Sequence, residues 1–288
     1  MEVKLGLRVR PAVFTDQRQI ANLIHFESHL HRHLDWRNPL DWIGSPPFFV
    51  AESDDRMIAA LGCPPDPPQV AWIRLFVCAS GNPVWEVWEM LWGAARADLA
   101  RGGPFQAAAI LLHEWMKDLL EASGFETHQQ IVMLQRDTPE MPEISLPPGL
   151  SIRPLMHYDL PAVAEVDAAA FNLLWQNSLP SLSRAYPQSA WATVVDSEQG
   201  LLGYQISTRN PLGGHLARLA VRPEAQGRGV GYALVADLIR QMAGQGLTHL
   251  TVNTQNDNAN SLSLYRKIGF GETGDRYPVY VFKRSETL

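Results

Sequence analysis

Leu219-Ala-Val-Arg-Pro-Glu-Ala-Gln-Gly-Arg-Gly-Val-Gly231 is the stretch whose reading decides the fold. Leu216 to Val221, overlapping its start, has the apolar density of a short strand. After it, Tyr232 to Met242 puts Leu234, Val235, Leu238, Ile239 and Met242 on one stripe of helical period. Between the two stand Gly227, Gly229 and Gly231. The first turn of a helix leaves backbone N–H groups without intrahelical partners and carries the positive end of the helix dipole. Glycines keep side chains away from those groups, so an anion can rest on the main chain. The expectation is a pyrophosphate seat. The dinucleotide pattern G-x-G-x-x-G fails, because from Gly227 its last glycine falls on Tyr232, and no Gly-Lys-Ser/Thr follows for a Walker loop.

What fits is Gln226-x-x-Gly229-x-Gly231 after a strand ending in Leu-Ala-Val. Downstream lies Asn258-Ala-Asn-Ser-Leu-Ser-Leu-Tyr265-Arg-Lys-Ile-Gly269-Phe270, a helix pattern ending at a glycine suited to the residue just past a helix. Together the two resemble the acetyl-CoA signatures of the GCN5-related N-acetyltransferases, the GNAT superfamily. Ser261 stands where that family has alanine. The resemblance spans about residues 149–284.

The same order of elements occurs earlier in the chain. Gly6-Leu-Arg-Val-Arg10-Pro11 with Asp16 returns as Gly149-Leu-Ser-Ile-Arg153-Pro154 with Asp159, at one constant offset. A helical run, Gln17 to Leu30, follows the first. The hairpin Phe48–Glu52 and Met57–Gly62 corresponds to Ala192–Val195 and Leu201–Gln205. Trp72 to Val77 corresponds to Leu216 to Val221, and Gly124-Phe125 to Gly269-Phe270. Ile131–Arg136 and Val279–Arg284 are the closing strands. The fold class expected is α/β (α+β): two tandem GNAT-like domains, each a mixed, mostly antiparallel sheet flanked by helices. Residues 1–137 form a degenerate copy, 138–148 a stiff linker rich in proline, and 149–288 the coenzyme-binding copy. In the first copy Trp85 falls near Gly229 and Val87 near Gly231, so an indole is expected to fill the pyrophosphate volume there. Trp85, Trp88 and Trp92 make a helical stripe that reads as packing. His31 and His33 read as a solvated helix end rather than a metal site.

Bulk properties narrow the function. A net charge of -6 and no long basic run argue against a nucleic-acid surface. Cys63 and Cys78 give neither a disulfide framework nor a metal spacing. No apolar run suggests a membrane span, and the opening residues lack the apolar core of a signal peptide. The expectation is a cytoplasmic protein, monomer or homodimer.

The resemblance also implies roles. In this family a primary amine attacks the acetyl thioester directly. Gln226, Gly227, Arg228, Gly229, Val230 and Gly231 would seat the pyrophosphate of acetyl-CoA, a co-substrate, with Arg228 adding charge. The backbone of Leu219, Ala220 and Val221 would pair with pantetheine amides, and Asn258 would hold the same arm. Tyr265 would donate a proton or hydrogen bond to the leaving thiolate. Where several members carry a glutamate base, this chain has His215, whose neutral imidazole accepts a proton near pH 7, if need be through water. Asp167 and Glu165 are weaker alternatives. No metal is expected, and the acceptor is an amine of a small molecule or peptide. Phe171, Trp175, Tyr186 and Trp191 either line an acceptor pocket or pack. A different class remains open, a non-catalytic acyl-CoA-binding sensor or scaffold; Tyr265 favours the enzyme, since a sensor has no need of a thiolate donor.

Overall fold

A computed structural model describes residues 6–284; Met1 to Leu5, part of the stretch read as lacking a signal peptide, lie outside the described residues. The chain forms two compact units, one holding residues up to His128 and those from Pro278 onward, the other Gln129–Tyr277.

The first unit contains β1 (Arg8–Pro11), α1 (Gln17–Phe26), β2 (His29–Arg32), β3 (Phe48–Ser53), β4 (Arg56–Gly62), β5 (Val70–Trp72), β6 (Leu75–Cys78), α2 (Val84–Leu99), β7 (Phe105–Ile110) and α3 (Lys117–Ala122). Its main sheet runs β1-β3-β4-β6-β2. A second group pairs β5 with β7 in parallel. The strand expected over Trp72–Val77 is interrupted at Ile73 and Arg74, giving β5 and β6.

Two expectations for this unit are corrected. The helical run over Gln17–Leu30 ends at Phe26, and residues 29–32 form β2 instead, because they pair antiparallel with β6 from His29↔Cys78 to Arg32↔Leu75. His31 is therefore buried, 1% exposed, with Nε2 3.1 Å from the Ile73 carbonyl oxygen. Trp88 and Trp92 enter the core as expected, stacked at 6.1 Å, whereas Trp85, the third of the stripe, is 45% exposed.

Burial pushes the His31 imidazole down to about 4. The sign follows: a lowered pKa favours the neutral ring in the folded state, so stability is full above the unfolded value near 6.5 and falls as pH drops through 4. Acidification across that window is expected to remove up to about 3 kcal/mol. His31→Gln, which can still donate to the Ile73 carbonyl, should flatten that part of a urea-unfolding series run against pH.

The second unit contains most of β8 (Glu126–Arg136), then β9 (Ser151–Pro154), α4 (Leu160–Ala170), α5 (Leu179–Ala185), β10 (Trp191–Ser197), β11 (Gly200–Asn210), β12 (Gly213–Val221), α6 (Val230–Ala243), β13 (Leu250–Gln255), α7 (Ala259–Lys267) and the start of β14 (Gly271–Arg284). Its strands run β9-β10-β11-β12-β13-β8. All five stripe residues of α6 are buried, and Val235, Leu238, Ile239 and Met242 pack with Leu216, Leu250 and Val252. Full burial of such a side chain contributes roughly 1.5–3 kcal/mol.

The units are not consecutive halves cut near residue 137. Residues 131–136 pair with β13 in the second unit, and residues 279–284 pair with β7 in the first. An unpaired strand edge leaves backbone donors and acceptors unsatisfied. Each copy's closing strand meets that need for the other copy. The internal repeat also appears in side chains. Arg10 binds Asp16 (2.7 Å) and Glu52 (2.6 Å). Arg153 binds Asp159 (2.7 Å) and Asp196 (2.9 Å) in the same pattern. Hydrogen bonds from the two arginines hold the Asp16 and Asp159 carboxyls below the ordinary carboxylate range.

Candidate active site

Strands β12 and β13 form a wedge. They pair in parallel only from Gly214↔Leu250 to Leu216↔Val252 and then separate. On its other edge β12 stays paired with β11 up to Val221, with a bulge at Ala217, since Ser207 faces Leu216 and Ile206 faces Arg218. The β12 edge beyond the bulge faces a cleft of about 630 Å³ instead of a strand. Leu219, Ala220 and Val221 line one side, Asn258, Asn260, Ser261, Ser263, Leu264 and Lys267 another.

The mouth of the wedge is the glycine turn. Gln226, Gly227, Gly229, Val230, Gly231 and Tyr232 line the same cleft. Gly229 is the N-cap of α6 at φ 86°, and no side chain caps the helix. The N–H groups of its first turn are thus left for a ligand. A Cβ on Gly231 would stand 3.3 Å from Leu264 and 3.6 Å from Val221, so a side chain there would narrow the cleft between β12 and α7. Asn258 caps α7, its Oδ1 accepting from Ser261 N–H at 3.1 Å, and lines the cleft as well. The donor set, bare amides plus an unpaired strand edge, suits an anionic ligand with an amide-bearing arm. Residues 160–270 match the model of the acetyltransferase (GNAT) family.

The second unit carries a GNAT domain. A mycothiol acetyltransferase from Pseudarthrobacter chlorophenolicus is 31% identical over 55% of this chain and 54% of its own length. The chain spans about half the length of the first curated relatives it matches. Among solved structures, a GCN5-related N-acetyltransferase from Sphaerobacter thermophilus has a TM-score of 0.62 at 16% identity, covering 98% of both chains. A tandem GNAT protein from the clavulanic acid biosynthesis pathway has a TM-score of 0.62 at 15% identity, covering 98% of this chain and 100% of that one. These two likenesses establish the fold over both units.

In the first unit the same wedge is closed. β5 pairs with β7, and β2 lies along β6 on the edge that corresponds to Leu219–Val221 in the GNAT domain. In the first copy, then, the strand edge that matches the open edge of β12 is covered by backbone.

Not every expected site residue reaches the cleft. Arg228 is exposed and does not line it. Lys267, which the motif reading passed over, does, with Nζ 5.4 Å from the Tyr232 ring centre. Tyr265 sits on α7 next to the lining residue Leu264 but is not itself in the lining; it is 4% exposed, and its hydroxyl has no hydrogen-bond partner among the described residues. Burial raises its phenol above the ordinary value, so it is a proton donor throughout the neutral range. His215 lies four residues before Leu219, where β12 still pairs with β13, and does not line the cleft. Its Nδ1 is 2.8 Å from Thr251 Oγ1, and that hydroxyl donates to the Gly214 carbonyl at 3.4 Å. The ring then carries its proton on Nδ1 and its lone pair on Nε2. Burial lowers its pKa, which keeps it neutral near pH 7.

Asp167 is not available as a base. It is fully buried and accepts from Arg218 Nε (2.7 Å) and Nη2 (2.8 Å), the Tyr204 hydroxyl (2.5 Å) and Asn177 N–H (2.7 Å). Glu165 is 71% exposed and ion-paired to Arg222 at 3.3 Å. Among the described residues no helix is long and apolar enough to cross a membrane, and no group of three or more His, Cys, Asp or Glu is placed to hold a metal.

Proposed function

We propose that this chain is an N-acetyltransferase that moves an acetyl group from acetyl-CoA to a primary amine of a small molecule or peptide. One observation carries the reading: a bare strand edge, an uncapped glycine-lined helix start and Asn258 line a single cleft. Acetyl-CoA supplies a thioester whose carbonyl carbon an amine can attack. The α6 N-terminus holds the diphosphate, with Lys267 beside it. The backbone of Leu219 to Val221 and the Asn258 side chain orient the pantetheine arm. That fixes the thioester for attack and lowers the entropic part of the barrier. Tyr265 donates to the sulfur as the C–S bond breaks. His215 Nε2 takes the amine proton through water, because the ring stands back from the cleft.

The test is thiol release from acetyl-CoA across a panel of amines and N-terminal peptides that includes the acceptor of mycothiol acetyltransferase. Release above the amine-free rate with any class supports the enzyme. Binding without release on every amine points to the sensor or scaffold, and no binding ends both readings. Tyr265→Phe is expected to lower kcat by about 100-fold. Acetyl-CoA affinity should stay within about twofold, because the lost contact belongs to the transition state. His215→Ala should remove the acid limb of the pH–rate profile, which the lowered imidazole pKa puts below about 6.5. An unchanged profile rejects His215 as the acceptor.

A further inference from the structure

The narrow end of the cleft is walled by an aromatic ring that cannot swing away. Phe171 and Ala170, at the end of α4, line the cleft. The Phe171 ring centre is 3.6 Å from the Arg218 guanidinium carbon. Arg218 is next to Leu219 on β12, just past the last β12–β13 pair at Leu216↔Val252. Phe171 therefore stands at the apex of the wedge, opposite in direction to the glycine turn. Ligand chain entering from the turn and following Val221 back to Leu219 ends against this ring.

The ring is held from behind. Arg218 makes two bonds to Asp167 and a third, at 2.7 Å, to the Trp175 carbonyl. Phe171 N–H bonds the Asp167 carbonyl at 3.1 Å. A guanidinium stacked on an aromatic face adds attraction, more so where both are desolvated. The first unit has the same device: Arg74, the counterpart of Arg218, pairs with Asp35 at 2.9 Å and lies 4.9 Å from the Trp42 ring. There β2 pairs along β6, and Trp42 is buried. Phe171 of the second unit, by contrast, lines an open cleft.

We propose that Phe171, clamped on Arg218, is the stop that limits the transferred acyl group to about two carbons. This rests on the coenzyme reading of the cleft. A longer chain must displace a ring that is bonded through Arg218 to the buried Asp167. An added methylene against an apolar wall changes discrimination by about 10- to 200-fold.

The test compares kcat/KM for acetyl-, propionyl- and butyryl-CoA at a fixed amine, in wild type, Phe171→Ala and Phe171→Leu. Affinity for free CoA, which has no acyl group, is measured alongside. Wild type is expected to prefer acetyl over butyryl by about 100-fold. Phe171→Ala should narrow that preference at least about tenfold with free-CoA affinity unchanged, and Phe171→Leu should narrow it less. The Leu variant keeps apolar bulk and serves if the Ala variant does not fold. A wild type indifferent to chain length overturns the stop, as does an unchanged ratio in a variant that still binds CoA. If wild type fails to bind free CoA, the coenzyme reading itself is wrong and the stop falls with it, an outcome readily told apart from the other two.

Discussion

Gly229→Asp is expected to weaken coenzyme binding by roughly 100- to 1,000-fold while leaving the second unit folded. Gly229 has a left-handed backbone, φ 86°, at the N-cap of α6. Aspartate is among the few residues that tolerate that conformation, and it is a favoured N-cap. A Cβ there meets only the Ser145 carbonyl oxygen, at 3.8 Å. A side chain at that φ is still strained, so the fold should lose about 1 kcal/mol and no more. The same carboxylate would stand among the amides proposed to hold a diphosphate. Unit charges 4 Å apart at an effective dielectric of 20 repel by about 4 kcal/mol. Gly229→Asn has nearly the same shape without the charge and should lose far less. Calorimetric titration with free CoA, beside urea unfolding of each variant, separates the two effects. An Asp variant that binds as wild type does would remove the α6 N-terminus from the site.

The glycine turn was legible because its meaning is local. A strand, three glycines and an apolar helical stripe are contiguous, and each is read from neighbours in the chain. The repeat was legible for a similar reason, since Arg10 with Asp16 and Arg153 with Asp159 are short patterns that recur whole. The open edge of β12 was not legible from its own residues. Whether Leu219 to Val221 is bare depends on where β13 stops pairing, and Val252 lies far downstream. Resemblance supplied that expectation; the residues alone did not. β2 was missed because His29 to Arg32 continues the rhythm of α1, and what makes it a strand is β6, a non-local partner. Exchange of the closing strands was hidden because both copies have such a strand in the right place in sequence. Nothing in either strand's own residues says which unit's edge it meets. The histidine was mis-set in the same way: His31 looks solvated in a helical frame and is buried in a strand frame.

Asp167→Ala is expected to destabilise the second unit by about 3–5 kcal/mol, the range for a buried charge left without its partner. Arg218 is 51 positions away in sequence, which is why no motif announced the pair. Burial alone would lower the Arg218 guanidinium, but Asp167, followed by Tyr204, outweighs it and holds the arginine firmly charged. Removing the carboxylate strips Arg218 of two bonds and leaves the Tyr204 hydroxyl and the Asn177 N–H unsatisfied, each of which adds to the penalty. The double variant should reverse part of this loss. Asp167→Leu with Arg218→Met removes both charges and refills the volume, so it should be more stable than Asp167→Leu alone. Urea midpoints of the two singles and the double decide the point. A double variant as unstable as the worse single would mean that the penalty comes from packing at the β12 bulge, not from an orphaned charge. If the charge is the cause, the double variant should fold with Phe171 released from its clamp, and its butyryl-to-acetyl ratio should rise even though Phe171 itself is unchanged.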